Sequence, residues 1–332
     1  MTHAIVIQEQ GGPEVMRWQK VDVAAPGPGQ VSVRHKAVGL NYIDCYHRSG
    51  LYPLELPTGI GMEGAGIIEA VGDKVANVAA GDKVANVAVG DRVAYASGPP
   101  GSYAELRNIA ADRVVPIPDS IDDETAAAMM LQGMTTQYLI RSTYRVKAGE
   151  AVLFHAAAGG VGLIACQWLK QLGATVIGTV GSPEKAALAK AHGCDHTILY
   201  GEENFVDRVR DITGGKGVPV AYDSVGKDTY PGTLDCLAPR GLFVSFGNAS
   251  GPIENFDPGA LAAKGSLYFT RPTLMTYTAT HDDLLASANE LFEAVAKGVK
   301  IQINQRYALK DAAQAHRDLE ARKTTGSTIL CP

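Results

Sequence analysis

The eleven residues Val152-Leu153-Phe154-His155-Ala156-Ala157-Ala158-Gly159-Gly160-Val161-Gly162 constrain the fold more than any other stretch of the chain. An apolar run passes through a small-residue turn into an amphipathic helical pattern. A pyrophosphate can rest against a helix N-terminus only where the turn is tight and free of bulky side chains, which Gly159, Gly160 and Gly162 provide. Ala157 stands where a G-x-G-x-x-G motif has its first glycine. Such a motif is weak by itself. Here it follows a strand pattern, opens a helix and precedes further strand–helix units, so it points to dinucleotide binding rather than to a packing turn without ligand.

Around this motif the pattern alternates. Ala151 to His155, Thr175 to Thr179, Thr197 to Tyr200, Val218 to Asp223 and Leu242 to Phe246 read as strands. Val161 to Leu172, Pro183 to His192, Phe205 to Thr213 and Thr229 to Leu237 read as the helices between them. Strands separated by helices of this length require a parallel, doubly wound sheet, an α/β fold. The first third reads differently. Short β-rich runs at Ala4 to Ile7, Arg17 to Val23, Val31 to Val38, Gly66 to Val71 and Arg92 to Ala96, punctuated by Gly and Pro, predict an antiparallel barrel or sandwich. Helical patterns at Asp283 to Lys297 and Lys310 to Arg322 and a last strand near Ser327 to Leu330 lie beyond the repeating unit and are expected to return to the first domain. A tandem near-repeat beginning Gly72-Asp73-Lys74, Gly81-Asp82-Lys83 and Gly90-Asp91-Arg92 is too short for a solenoid. It reads as a tolerated surface insertion.

At 332 residues with 46% apolar side chains, the chain can form two domains with real cores. Thirty basic against thirty-five acidic residues, with no block of like charge, give no footprint for nucleic acid or anionic membrane. The N-terminus lacks a basic and apolar leader pattern, and no run is long enough to span a bilayer. Five scattered cysteines, none in a C-x-x-C pair, suggest neither a disulfide framework nor a structural zinc cluster, so a cytoplasmic location is expected. Cys166 and Cys236, within helical patterns, read as small buried hydrophobes, and His155 as a packed or capped residue.

Cofactor preference is read at the end of the second strand of the repeating unit, where NAD-specific sites carry an acid for the ribose 2′-hydroxyl. This chain has Gly178-Thr179-Val180-Gly181-Ser182-Pro183-Glu184-Lys185, with no acid before Glu184. Ser182 can donate a hydrogen bond and Lys185 a positive charge to a 2′-phosphate, which favours NADPH. Lys185 also fits a solvated helix residue. Tyr200, ending the third strand, could flank the adenine or belong to the core. A second cluster, Asn41-Tyr42-Ile43-Asp44-Cys45-Tyr46-His47-Arg48 continuing to Tyr52-Pro53, is too polar and aromatic to bury without partners. It suggests a cleft, or a structural loop held by an Asp44–Arg48 pair.

The whole chain resembles the medium-chain dehydrogenase/reductase superfamily, and within it the zinc-free, zeta-crystallin-like NADPH:quinone oxidoreductases. The resemblance rests on Gly11-Gly12-Pro13-Glu14-Val15, Asn41-Tyr42-Ile43-Asp44, Arg48 to Pro53, His155 to Gln167, Tyr222-Asp223-Ser224-Val225-Gly226 and Phe246-Gly247-Asn248. It implies a chaperonin-10-like (GroES-like) β-rich catalytic domain from residues 1–128 and 272–332, a Rossmann domain from 129–271, a cofactor cleft between them, and a homodimer. Zinc-dependent relatives carry Cys where this chain has Asn41 and Gly-His-Glu where it has Gly61-Met62-Glu63. Amide and thioether do not replace thiolate and imidazole as zinc ligands, so metal-free hydride transfer from NADPH to a quinone is implied. Asn41, Tyr46 and Tyr52 are implied to line the nicotinamide and quinone site, with either tyrosine a candidate acid. Cofactor contacts are implied at Tyr42, Asp44, Tyr138, Gly159, Gly160, Val161, Gly162, Gly181, Ser182, Lys185, Tyr200, Ser224 and Arg322. Phe246, Asn248, Ser250, Phe269, Thr270 and Arg271 are implied along its nicotinamide half. Reduction of an enone or alkenal double bond is the alternative reaction, and a non-enzymatic NADPH-binding protein the alternative class.

Overall fold

The computed structural model describes residues 2–75 and 87–332, so the middle of the tandem near-repeat lies outside the described residues. The chain begins with β1 (Thr2–Ile7), β2 (Arg17–Val21), β3 (Gln30–Leu40), α1 (Tyr42–Ser49), β4 (Thr58–Gly59), β5 (Glu63–Val71), β6 (Arg92–Ala96), β7 (Leu106–Ala110) and β8 (Val115–Pro116). After α2 (Asp123–Tyr138), strands and helices alternate: β9 (Ala151–Phe154), α3 (Gly160–Gln171), β10 (Thr175–Val180), α4 (Pro183–Ala191), β11 (His196–Leu199), α5 (Phe205–Ile212), β12 (Val218–Asp223), α6 (Tyr230–Cys236) and β13 (Leu237–Ser245). Then come α7 (Pro258–Ala263), β14 (Tyr268–Thr270), α8 (Leu274–Tyr277), α9 (His281–Ala296), β15 (Ile303–Ala308), α10 (Ala312–Glu320) and β16 (Ser327–Cys331). Two compact units result: residues 1–134, 277–293 and 301–332, and residues 135–276 with 294–300.

The first unit holds a small antiparallel sheet, β2-β1-β4, and a larger one in the order β15-β16-β3-β5-β6-β8, with β7 also paired to β3. The eleven-residue β3 serves two cores. Its first half sends Val31 and Val33 among Ile68, Val93 and Tyr95, and its second half sends Val38 and Leu40 among Ile7, Ile60, Tyr103 and Leu330. The C-terminal strand does return here, pairing Thr328 with Leu40 and Leu330 with Val38. The strands of the first third pair antiparallel throughout, as expected, while β15 and β16 of the tail run parallel. The residues between them form a helical crossover through α10, which returns the chain in the same direction instead of reversing it.

The second unit is a six-stranded parallel sheet in the order β11-β10-β9-β12-β13-β14. Order reverses between β9 and β12, the position at which doubly wound sheets open a crevice at their carboxyl edge. Near-continuous apolar strands bury Leu153, Ile177, Ile198, Ala221 and Phe243 in one core, as a sheet covered on both faces demands.

Candidate functional site

In the second unit the turn expected to hold the pyrophosphate is built by backbone. Ala156 takes a left-handed φ of 56°, the Ala157 N–H donates to Thr179 O at 3.0 Å, and the Gly159 N–H returns to Ala156 O at 3.0 Å. A Cβ on Gly162 would lie 2.7 Å from both the carbonyl carbon and oxygen of Ala157, so only glycine lets α3 approach β9 this closely. The N-cap of α3 is Gly159, with no side-chain cap and no acid in the first turn. The first-turn N–H groups of such a helix have no intrahelical partner and stand ready for an anion. By contrast, α4 is capped by Ser182, whose Oγ accepts the Lys185 N–H at 3.3 Å. The Ser182 hydroxyl also hydrogen-bonds Glu184 and holds that carboxyl below its usual range. Gly181 leaves room for Tyr200, whose hydroxyl would meet a Cβ there at 2.7 Å.

The other residues of this unit singled out from sequence gather at the same edge. Ser224 follows β12, whose last residue Asp223 is fully buried and accepts from the Val225 N–H at 2.7 Å, the Gly226 N–H at 3.1 Å and Thr229 Oγ1 at 2.7 Å. Gly247 brings the end of β13 against Ser224, since a Cβ on it would sit 2.5 Å from Ser224 O. Ser250 clasps the same loop, its hydroxyl donating to Val225 O at 2.9 Å and accepting from the Asp228 N–H at 3.0 Å. Phe246 packs against Phe154 with ring centroids 5.9 Å apart. Asn248 lies in the same loop, its carbonyl accepting the Gly251 N–H. Phe269 and Thr270 are in the edge strand β14, and Arg271 donates to Ser245 O at 2.9 Å. Tyr138, at the end of α2, is buried. His155 is fully buried between Thr179 and Thr233, each hydroxyl 2.9 Å from a ring nitrogen, and burial lowers its pKa.

In the first unit, residues 42–49 form a helix rather than a loop. The Asn41 N–H donates to Asp44 Oδ2 at 2.9 Å, closing the N-terminus, and Gly50 ends the helix at φ 86°. The Asp44–Arg48 pair of the alternative loop reading does not form. Asp44 is fully buried and accepts from the Tyr103 hydroxyl at 2.9 Å, while Arg48 turns to Glu320, with its Nη2 2.6 Å from Oε1. Between them stands His316, with Nε2 3.1 Å from Tyr103 Oη and Nδ1 3.1 Å from Arg48 Nη1 and 3.4 Å from Cys45 Sγ. These partners lie on α10 and before β7, so residues far away in sequence offset the cost of a helix that buries charge. Burial raises the Asp44 carboxyl to about 7, lowers His316 to about 3 and raises the Cys45 thiol. On α1 and just after it the rings of Tyr42, Tyr46 and Tyr52 form a chain with centroids 5.8 Å and 5.2 Å apart. Tyr42 also lies within electrostatic reach of the exposed Arg322.

Asn41 has both ends of its amide engaged. Nδ2 donates to Glu63 Oε2 at 2.6 Å, and Oδ1 accepts from Gln132 Nε2 at 3.2 Å. Sequence reasoning assigns no role to Glu63, Gln132, Tyr103 or His316. The one available signal is a glutamate inside the apolar run that starts at Ile60. An amide so tied, with the thioether of buried Met62, does not fit the zinc chemistry of the positions aligned with zinc ligands. The carboxyl edge of the second unit does fit a dinucleotide: an uncapped helix start, a glycine cradle, and Ser182 and Lys185 where an NAD site has an acid.

Comparison with known proteins agrees with this division. Residues 27–119 match the alcohol dehydrogenase GroES-like domain and residues 160–288 the zinc-binding dehydrogenase domain. The chain is 56% identical to a quinone oxidoreductase of Pseudomonas aeruginosa, over 100% of both chains. It is 43% identical to a 2-haloacrylate reductase of a Burkholderia species, over 100% of this chain and 99% of that one. The solved structure of Escherichia coli quinone oxidoreductase complexed with NADPH superposes with a TM-score of 0.95 at 48% identity, covering 99% of this chain and 100% of that one. Among the described residues no helix is long and apolar enough to cross a membrane. The Rossmann unit with its uncapped α3, the GroES-like unit with an amide in place of a thiolate, and these full-length likenesses together establish that the chain belongs to the quinone oxidoreductase family of the medium-chain dehydrogenases/reductases.

Proposed function

We propose that the protein is an NADPH:quinone oxidoreductase that reduces a small quinone by direct hydride transfer, without zinc. NADPH, when bound, supplies the hydride. The carboxyl edge of the parallel sheet carries this reading, because its uncapped α3 start and its Ser182 and Lys185 suit a phosphorylated dinucleotide. Gly159, Gly160, Val161 and Gly162 would hold the pyrophosphate through main-chain N–H groups. Gly181, Ser182, Lys185 and Tyr200 would take the 2′-phosphate and adenine. Ser224, Phe246, Asn248, Ser250 and the stretch Phe269-Thr270-Arg271, with Tyr138, would border the nicotinamide half. In the first unit Asn41, Tyr46 and Tyr52 would orient the reacting pair, Tyr42 and Arg322 would contact the cofactor, and Asp44 would act through the main chain of Asn41. Their work is positioning and desolvation, with a tyrosine hydroxyl as a proton source for the hydroquinone.

The likeness to a 2-haloacrylate reductase favours one second reading, reduction of a polarised carbon–carbon double bond by the same hydride donor. Steady-state loss of NADPH absorbance with benzoquinone, phenanthrenequinone, an alkenal and a haloacrylate separates the two, and repetition with NADH tests the cofactor. Quinone turnover that survives a chelator and prefers NADPH is expected. Turnover of the alkenes alone would move the protein to the double-bond reductases. A homodimer is part of the proposal, supported by the unpaired sheet edge at β14, where Tyr268 is 62% exposed. A cytoplasmic location is supported by five free cysteines.

A further inference from the structure

Glu63 is a charge in an unusual place. It opens β5 with no exposed surface, opposite Gly39 of β3 in the strand register. Space for its carboxylate exists only because residue 39 has no side chain. A Cβ there would lie 2.7 Å from Glu63 Cδ and 2.5 Å from Ala127 O of α2. Glu63 Oε1 accepts the Leu131 N–H at 2.8 Å, while Oε2 accepts from Asn41 Nδ2. Burial pushes the carboxyl up to about 8, and the N–H groups of Asn41 and Leu131 oppose that rise by favouring the ionised form. Beyond Asn41 the chain continues, with Gln132 Nε2 donating to Asn41 Oδ1 and Ser327 Oγ donating to Gln132 Oε1 at 2.7 Å.

Every bond in this chain points toward Glu63, and the reason is chemical. Above about pH 8, where Glu63 is ionised, its carboxylate only accepts, whereas Asn and Gln each have a donor end and an acceptor end that packing alone does not tell apart. With Glu63 as the acceptor, Asn41 must turn Nδ2 toward it and Oδ1 toward Gln132. Gln132 must then present Nε2 to Asn41 and Oε1 to Ser327, whose hydroxyl rotates to donate. A group at position 63 that offers a donor to Asn41 Oδ1 would reverse the whole series at almost no change in shape.

We propose that Glu63 is a positioning residue for hydride transfer, acting through Asn41. Its carboxylate sets which corner of the Asn41 amide offers a free N–H and which a free oxygen lone pair to the reacting molecules. The inference rests on the reading that Asn41 borders the nicotinamide and quinone. Reversal would place a donor where an acceptor is needed, an error that affects the reaction rather than cofactor affinity.

The test is a double-mutant cycle of Glu63→Gln and Asn41→Ala on the intact protein at about pH 9, where Glu63 is ionised, with kcat for a quinone, NADPH affinity by fluorescence titration and Tm measured for each. The glutamine introduced by E63Q can satisfy the Leu131 N–H with its oxygen and donate its amide to Asn41, which inverts the series. E63Q is expected to lose at least about tenfold in kcat, with NADPH affinity within about twofold of wild type. In the N41A background the same change should cost less than about twofold, since the group through which it acts is gone. Should E63Q fail to fold, Ser327→Ala loosens the far end of the series, with an expected loss of about two- to fivefold in kcat that also vanishes in N41A. The proposal is overturned if E63Q, or S327A in its place, turns over at the wild-type rate while N41A is impaired. It is also overturned if the loss persists undiminished in the N41A background. An N41A enzyme with unchanged kcat/KM would instead refute the placement of Asn41 in the site, and the proposal with it.

Discussion

Replacing Gly162 by alanine tests the proposed phosphate-binding turn directly. The new Cβ would stand 2.7 Å from the carbonyl carbon and oxygen of Ala157, and closer still to Ala156 O. Ordinary contact requires about 3.5 Å, so the first turn of α3 must retreat by about 1.1 Å from Ala156 O or the turn must strain in place. Neither is easy, because the Ala157 N–H is bonded to Thr179 O and Ala156 already occupies a left-handed φ. Overpacking of this kind costs about 1–3 kcal/mol. If the helix retreats, the loss appears as a weaker grip on the pyrophosphate, about 5- to 150-fold in Kd for NADPH. If the strain is retained, it appears in the free protein as a fall in Tm of about 2–4 °C per kcal/mol for a domain of this size. Fluorescence titration and thermal melts on the same samples separate the two. A G162A protein with NADPH affinity within about twofold of wild type and an unshifted Tm would refute the argument that this close approach positions the helix terminus.

Other outcomes follow from the same geometry. Ser182→Asp keeps a good N-cap for α4 but sets a negative charge where a 2′-phosphate is proposed to bind, so kcat/KM with NADPH should fall by more than about tenfold while NADH gains; retained preference for NADPH would remove residue 182 from the site. Tyr46→Phe and Tyr52→Phe each remove a hydroxyl from the aromatic chain that starts on α1. If neither changes kcat/KM for quinone, acid catalysis by either tyrosine is excluded. Burial lowers His35 to about 4, where it bonds Ala104 O and Tyr95 Oη. The unfolded chain therefore takes up a proton at this residue from about pH 6.5 downward while the folded protein resists it until about pH 4, so the contribution of His35 to stability falls as pH falls across that window, opposite in sign to those of the buried Asp44 and Glu63 carboxyls. Melts of His35→Gln should show a flatter acid slope between those limits, and an unchanged slope would count against this assignment.

Local signals are legible in the sequence and long-range ones are not. The β9–turn–α3 unit declares itself because glycine spacing and apolar periodicity act within a dozen residues. The helix α1 does not, although Asn41 and Asp44 stand at capping-box spacing. Its interior holds Asp44, Cys45, His47 and Arg48, which obscure any apolar stripe, and the groups that make it buriable, Tyr103, His316 and Glu320, lie between 59 and 272 residues away. Glu63 is visible only as an acid in an apolar run, because its meaning depends on α2 and on the empty side of Gly39. The three-residue β14 escapes a reading of the sequence, since so short an edge strand carries too little alternation to register.

The pairing of β16 with β3 sets an order of events during synthesis. The second unit draws its parallel sheet from one continuous stretch and can close as soon as β14 and the residues after it have left the ribosome. The first unit must wait. Until Ser327 to Cys331 emerge, β3 has no partner on that side and Gln132 lacks the Ser327 hydroxyl, and Arg48 lacks its carboxylate until Glu320 has emerged a few residues earlier. A nascent chain stalled just before β16 would therefore hold a finished dinucleotide-binding unit beside an open sheet edge, the kind of surface chaperones cover and neighbouring chains invade.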